Sequence, residues 1–234
     1  MKTLWIAETF ISIQGEGKLA GVPSLFIRTS GCNLRCHFCD TPYTSWEAEG
    51  EHRAIEALLA PLEHNPRVKH AVVTGGEPLI AKNIESLVAA LKARDLHVTI
   101  ETAGTVFLPL PGVDLWSVSP KLKSSTPRAD GTADSADWIK RHEATRYAPD
   151  ALRAFMSLPH QLKFVAGGPE DFLEIEAIVA ELGARADDIL IMPEGVSVQE
   201  LDEGTRWLLP EVIKRGWRYC DRLHIRLFGH TPGT

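Results

Sequence analysis

Short apolar runs alternate with amphipathic stretches along most of the chain. Ser24 to Arg28, Ala71-Val72-Val73, His97 to Ile100, Val113 to Val118, Gln161 to Val165 and Asp188 to Met192 read as strands. Runs this apolar suit strands covered on both faces. Between them, Ala54 to Leu62, Ile84 to Ala93, about Asp171 to Leu182 and Val198 to Arg215 carry apolar residues at helical spacing. His224 to Phe228 closes the core. This order predicts an α/β fold of six or so mainly parallel strands joined by crossover helices. From about 122 to 159 the pattern breaks up. Ser124-Ser125-Thr126-Pro127 and Gly131-Thr132-Ala133-Asp134 favour turns, which predicts an irregular insertion with one or two helices. No linker interrupts the rest, so residues 1–234 are expected to form one domain. The glycine-rich and polar motifs fall just after strands, where parallel α/β sheets build their sites.

Composition narrows the function more than the fold. Of 234 residues, 44% are hydrophobic and 24% charged, ordinary globular usage. The net charge of −6 disfavours a nucleic-acid footprint, which needs clustered Lys and Arg, and favours a small-molecule substrate. No run approaches the roughly 20 apolar residues of a membrane span. The start, Met1-Lys2-Thr3-Leu4-Trp5, lacks a cleavable apolar segment. A cytoplasmic location is therefore expected, without a membrane role.

Three of the four cysteines fall within eight residues, in Gly31-Cys32-Asn33-Leu34-Arg35-Cys36-His37-Phe38-Cys39. That is a poor disulfide framework and a good metal-binding one. Cys32, Cys36 and Cys39 follow the spacing C-x3-C-x2-C on a loop directly after a strand. Three soft thiolates on one loop can wrap one face of a cubane, each ligating a separate iron and leaving the fourth open. Zinc is the competing reading, with His37 or Asp40 completing a tetrahedron, but no second Cys/His pair accompanies the triad. Cys220, in Trp217-Arg218-Tyr219-Cys220, reads as a buried structural thiol. Downstream, Gly75-Gly76-Glu77-Pro78 follows the apolar run ending in Thr74. Its glycines permit close backbone approach to a ligand, and Glu77 offers a carboxylate to an ammonium group.

The triad with this second motif resembles the radical S-adenosylmethionine (SAM) superfamily. The resemblance implies a partial (β/α) barrel and a 4Fe-4S cluster whose open iron chelates SAM. Gln14-Gly15-Glu16-Gly17, Arg28, Asp40-Thr41 and Ser119-Pro120-Lys121 narrow it further. With them the chain, from about Glu8 to Gly229, is similar to the 7-carboxy-7-deazaguanine synthases of queuosine biosynthesis. Those lyases contract 6-carboxy-5,6,7,8-tetrahydropterin with loss of ammonia.

This similarity implies that Ile13, Gln14, Gly15, Glu16, Arg28 and Thr74 hold the pterin, and that Thr41 ligates magnesium. It implies SAM contacts from Phe38, Cys39, Asp40, Gly76 and Glu77. Further SAM contacts are implied for Ser119, Pro120 and Lys121, and for Met192, Pro193, Glu194 and Gly195. An electron donor such as flavodoxin and a homodimer are implied with them. No residue is assigned as a general acid or base. Taken alone, Arg28 pairs equally well with a surface acid, Glu16 caps a turn and Thr41 packs as an ordinary hydroxyl. Ala103 stands where many relatives carry asparagine. The 122–159 stretch carries no transferable motif, and the tail His230 to Thr234 aligns only loosely with relatives whose tail touches substrate. Two other readings compete: a glycyl-radical activating enzyme, which shares the cysteine spacing, and a zinc-bound interaction module.

Overall fold

The computed structural model describes residues 2–129 and 131–234, so Met1, and Asp130 of the inserted stretch, lie outside the described residues. Nine strands form one sheet: β1 (Thr3–Ile13), β2 (Pro23–Thr29), β3 (Glu51–Ala54), β4 (His70–Gly75), β5 (His97–Thr102), β6 (Leu115–Val118), β7 (His160–Ala166), β8 (Ile189–Pro193) and β9 (Arg218–Tyr219). Their order is β3-β1-β2-β4-β5-β6-β7-β8-β9. From β2 to β9 every pairing is parallel, whereas β1 runs antiparallel to both β2 and β3. Since β3 and β9 end the series without meeting, the sheet is an open partial barrel.

The helices are α1 (Ile55–Leu59), α2 (Ile84–Lys92), α3 (Ala133–Thr145), α4 (Pro149–Phe155), α5 (Asp171–Leu182), α6 (Val198–Arg215) and α7 (Leu223–Phe228). Ile84, Leu87, Val88 and Leu91 recur at i, i+3, i+4 and i+7, so α2 buries one continuous face. Each such side chain contributes about 1.5 to 3 kcal/mol relative to exposure. Helix α6 begins with a capping box in which Ser197 and Glu200 satisfy each other's backbone N–H groups, and it ends on left-handed Gly216. The core beneath the sheet is aliphatic, with Trp116 and Phe155 fully buried at 5.1 Å between ring centroids.

Several expectations change. Strand β1 is eleven residues long and the sequence pattern missed it. It pairs on both sides, yet only Leu4 and Ile6 are buried, so its apolar signal is weak. The helix expected over 54–62 stops as α1 at Leu59 and continues as a 3-10 turn containing Pro61, which lacks the N–H a longer helix needs. The closing segment His224 to Phe228 is helical, as α7, and buries Ile225. The inserted stretch does form two helices, α3 and α4.

Candidate active site

Strand register sets the site. Thr29 ends β2 opposite Gly75 at the end of β4, so the cysteine loop and the glycine pair leave the sheet at the same edge. There a cavity of about 410 Å³ opens, lined by that loop, the β1–β2 connection, the ends of β4 to β8 and the C-terminal segment. Gly75 has φ +129, and a Cβ on it would sit 2.1 Å from the Thr29 carbonyl oxygen. A Cβ on Gly76 would meet the Gly31 carbonyl oxygen at 2.1 Å. Both glycines are thus needed for the backbone of the cysteine loop to pack against β4, and not only for a ligand.

Cys32, Cys36 and Cys39 all line this cavity and none is in a disulfide. Burial pushes the Cys32 thiol up to about 11 and the Cys36 thiol up to about 12. Such groups stay protonated until a metal takes the proton's place. The donor set fits an iron-sulfur cluster: three soft thiols on one short loop beside a cavity. Among the described residues no three His, Cys, Asp or Glu side chains gather around a point where one ion would sit. A cubane does not ask for that, because each thiolate takes its own iron.

Part of the cavity wall is ionic. Glu16 pairs with Lys163 and, at 3.1 Å, with Arg222 Nε; Arg222 also pairs with Asp40 and donates to the Gly195 carbonyl at 2.6 Å. Burial would raise the Glu16 pKa, but the Lys163 and Arg222 charges overcome it and hold the carboxyl below the usual carboxylate range. Burial likewise works against charge on Lys163 and Arg222, and the facing carboxylates reverse it, raising both pKa values. Beside them Glu101 accepts from Gln14 at 3.0 Å and from the Thr74 hydroxyl at 2.8 Å. Arg28 Nε and the Tyr43 hydroxyl both donate to Glu8 Oε1, at 2.5 and 2.6 Å. Arg28 uses one edge of its guanidinium here, leaving the other for a ligand.

Comparisons with known proteins agree with this geometry. Residues 26–194 match the radical SAM superfamily. A 7-carboxy-7-deazaguanine synthase from Rhodopirellula baltica is 49% identical, over 99% of this chain and 89% of its own length. Another from Halobacterium salinarum is 42% identical, covering 98% and 92%. The chain belongs to the 7-carboxy-7-deazaguanine synthases of the radical SAM superfamily. The crystal structure of QueE from Escherichia coli superimposes with a TM-score of 0.69 at 25% identity, covering 95% of both chains. Streptococcus suis SuiB, at 0.56 and 11%, shares the fold alone; 83% of this chain and 47% of that one align.

Of the residues singled out by the synthase resemblance, most border one cavity. Ile13 to Glu16, Arg28, Thr74, Phe38 to Thr41 and Gly76 all line it. Ser119, Lys121, Met192, Glu194 and Gly195 complete the wall. Pro120 and Pro193 are not among its lining residues. Nor is Glu77, which is fully buried with both oxygens engaged. It accepts from Leu79 N–H at 3.1 Å, the Thr102 hydroxyl at 2.8 Å and Ala103 N–H at 2.9 Å. Glu77 therefore ties the β4 and β5 loops together. Ala103 contributes its backbone where its side chain has nothing to offer.

The pattern missed Glu8, Tyr43, Glu101, Lys163, Arg222 and His224, all of which line the synthase cavity. One of them carried a signal: Lys163 interrupts the apolar β7 run Leu162-Lys163-Phe164, and a buried lysine requires an anion. Cys220 is buried as expected, accepting from Gly17 N–H at 3.1 Å, with its thiol pushed up to about 11 by burial.

Proposed function

We propose that the chain converts 6-carboxy-5,6,7,8-tetrahydropterin to 7-carboxy-7-deazaguanine and ammonia, as a single radical SAM domain in queuosine biosynthesis. One observation carries this reading: a single cavity joins the cysteine triad to a wall built for a small anionic heterocycle. With its cluster bound, SAM supplies the 5′-deoxyadenosyl radical that starts the chemistry. The chain's residues orient and shelter the substrate. Glu16, kept ionised by Lys163 and Arg222, accepts hydrogen bonds from the pterin amine and ring N–H groups. Arg28, braced by Glu8 and Tyr43, presents its free edge to the substrate carboxylate. Phe38, Met192 and Val165 give the wall apolar surface that limits water. Phe38 to Asp40, Gly76, Ser119, Lys121, Met192, Glu194 and Gly195 take SAM. Anaerobic incubation with SAM, reductant and the carboxytetrahydropterin should yield 7-carboxy-7-deazaguanine by mass. A loaded enzyme that cleaves SAM without forming it would overturn the substrate.

The electron comes from a donor such as flavodoxin, and the enzyme is a cytoplasmic homodimer. Leu173, Leu209 and Ile213, exposed on α5 and α6, support self-association, and among the described residues no helix is long and apolar enough to cross a membrane. A glycyl-radical activating enzyme shares the cysteine spacing, but near-full-length identity to the synthases does not favour it.

Removing Arg28 should weaken the substrate and spare uncoupled SAM cleavage. Loss of a charge-assisted hydrogen bond of about 1.5 to 3 kcal/mol corresponds to roughly a ten- to hundredfold rise in Kd. Titration of Arg28→Ala with the pterin decides it, and unchanged affinity would place the carboxylate elsewhere.

Magnesium completes the proposed site at Thr41, whose hydroxyl lies 3.3 Å from that of Thr44 at the cavity wall. One neutral oxygen holds so hard a cation poorly unless substrate oxygens add to it. Added Mg²⁺ should therefore tighten the pterin and raise turnover, and Thr41→Val should lose most of that response while keeping its cluster. Full turnover by chelator-treated wild type would rule the metal out.

A further inference from the structure

The inserted stretch grips the cysteine loop. The backbone N–H of Arg35, between Cys32 and Cys36, donates to His142 Nδ1 at 3.2 Å. The other ring nitrogen, Nε2, lies 2.9 Å from the Ser125 hydroxyl, which donates its own proton to the Leu122 carbonyl at 2.6 Å. With that proton committed, Nε2 must carry the imidazole hydrogen and Nδ1 must be the bare acceptor, as Arg35 requires. His142 and Ser125 are both fully buried, and burial brings the imidazole down to about 4, keeping it neutral. Two residues further along the loop, His37 N–H donates to the Ser125 carbonyl at 3.1 Å. One turn before His142, Trp138 packs on the Arg35 guanidinium, 3.9 Å from ring centroid to Cζ. That guanidinium in turn donates to the Cys32 and Leu34 carbonyls at 2.9 and 2.7 Å.

We propose that His142 is a positioning residue for the cluster loop, holding the Arg35 amide in the inserted layer and away from the cluster's sulfurs. The proposal rests on the reading of the triad as cluster ligands. Hydrogen bonds to cluster sulfurs favour the more negative, reduced state and so raise the reduction potential. An amide donating to an imidazole cannot do so. The insertion therefore keeps the cluster a strong reductant, which is the state SAM cleavage needs.

Two substitutions separate this from simple packing. In His142→Asn the side-chain oxygen stands near the place of Nδ1 and still accepts from Arg35; His142→Leu fills the space and accepts nothing. The Arg35 amide should exchange hydrogen at the wild-type rate in the Asn variant and at least tenfold faster in the Leu variant. After reconstitution to equal iron content, redox titration followed by electron paramagnetic resonance should place the Leu variant at a more positive potential and the Asn variant close to wild type. If the Leu variant does not fold, His142→Ala, which likewise removes the acceptor, should give the same faster exchange and positive shift. Wild-type exchange and potential in the Leu variant, or equal changes in Leu and Asn, would overturn the proposal. A wild-type chain that takes up no cluster would refute the cluster reading instead, and exchange at Arg35 in the iron-free chain still decides the role of His142.

Discussion

Alanine at any one of Cys32, Cys36 or Cys39 is expected to abolish reductive cleavage of SAM to 5′-deoxyadenosine. All three thiols face the same cavity, and on the proposed assignment each holds a different iron. No fourth thiol stands by to replace a lost one: Cys220 is buried with Leu190 and Met192 and does not line the cavity. The variants should come out of anaerobic reconstitution with little iron and without the broad absorption near ~400 nm of thiolate-bound clusters. Cys220→Ala is the control. It leaves the Gly17 N–H without its acceptor, a loss of about 1 to 3 kcal/mol, while iron content and SAM cleavage stay as in wild type. Retained 5′-deoxyadenosine formation in all three triad variants would sink the assignment, and iron loss in Cys220→Ala would show the fourth thiol to be a ligand.

The parts of this enzyme legible in the sequence are those whose signal is local. The triad and Gly75-Gly76 are each held within a few residues, and the buried parallel strands announce themselves as apolar runs because helices and sheet neighbours cover them. The approximate bounds that helical spacing gives for α5 and α6 agree with the observed helices, which end at left-handed Gly183 and Gly216. Strand β1 was not, because a half-buried antiparallel strand carrying Glu8 and Thr9 has no such run. The ionic wall was illegible for a different reason. Lys163 meets Glu16 across 147 positions and Arg222 meets it across 206, so only the folded register brings them together. Glu77 stands apart from both groups: it sits in a ligand-facing motif, and the folded chain adds hydrogen bonds to both its oxygens from the β5 loop that its local sequence does not announce.

Arg222→Met should be the most damaging substitution outside the triad. Methionine fills comparable space but leaves Asp40 without its partner and Glu16 with Lys163 alone. Breaking a fully buried pair by removing one partner costs about 3 to 5 kcal/mol, mostly through the charge left behind; here Asp40 is 37% exposed and Glu16 keeps Lys163, so the loss is smaller, about 1 to 3 kcal/mol. The Gly195 carbonyl also loses its donor, so the loops bearing Glu16, Asp40 and Gly195 lose their common tie. The urea midpoint at pH 7 should fall accordingly, and kcat/KM by about a hundredfold, roughly 2.7 kcal/mol. The pH dependence separates charge from packing. Because the folded state holds Glu16 below its ordinary 4.5, the pairing stabilises fully above pH 4.5 and is lost as pH falls through the lower folded value. In the variant that lowering shrinks. The stability gap between the two proteins should therefore stand at full size at pH 7 and narrow as the pH drops below about 4.5. Adding Asp40→Asn to Arg222→Met should recover part of the stability, since it removes the stranded carboxylate, and none of the turnover. A gap that stays constant down to pH 3 would assign the loss to packing, and a midpoint unchanged at pH 7 would mean that water already solvates these carboxylates.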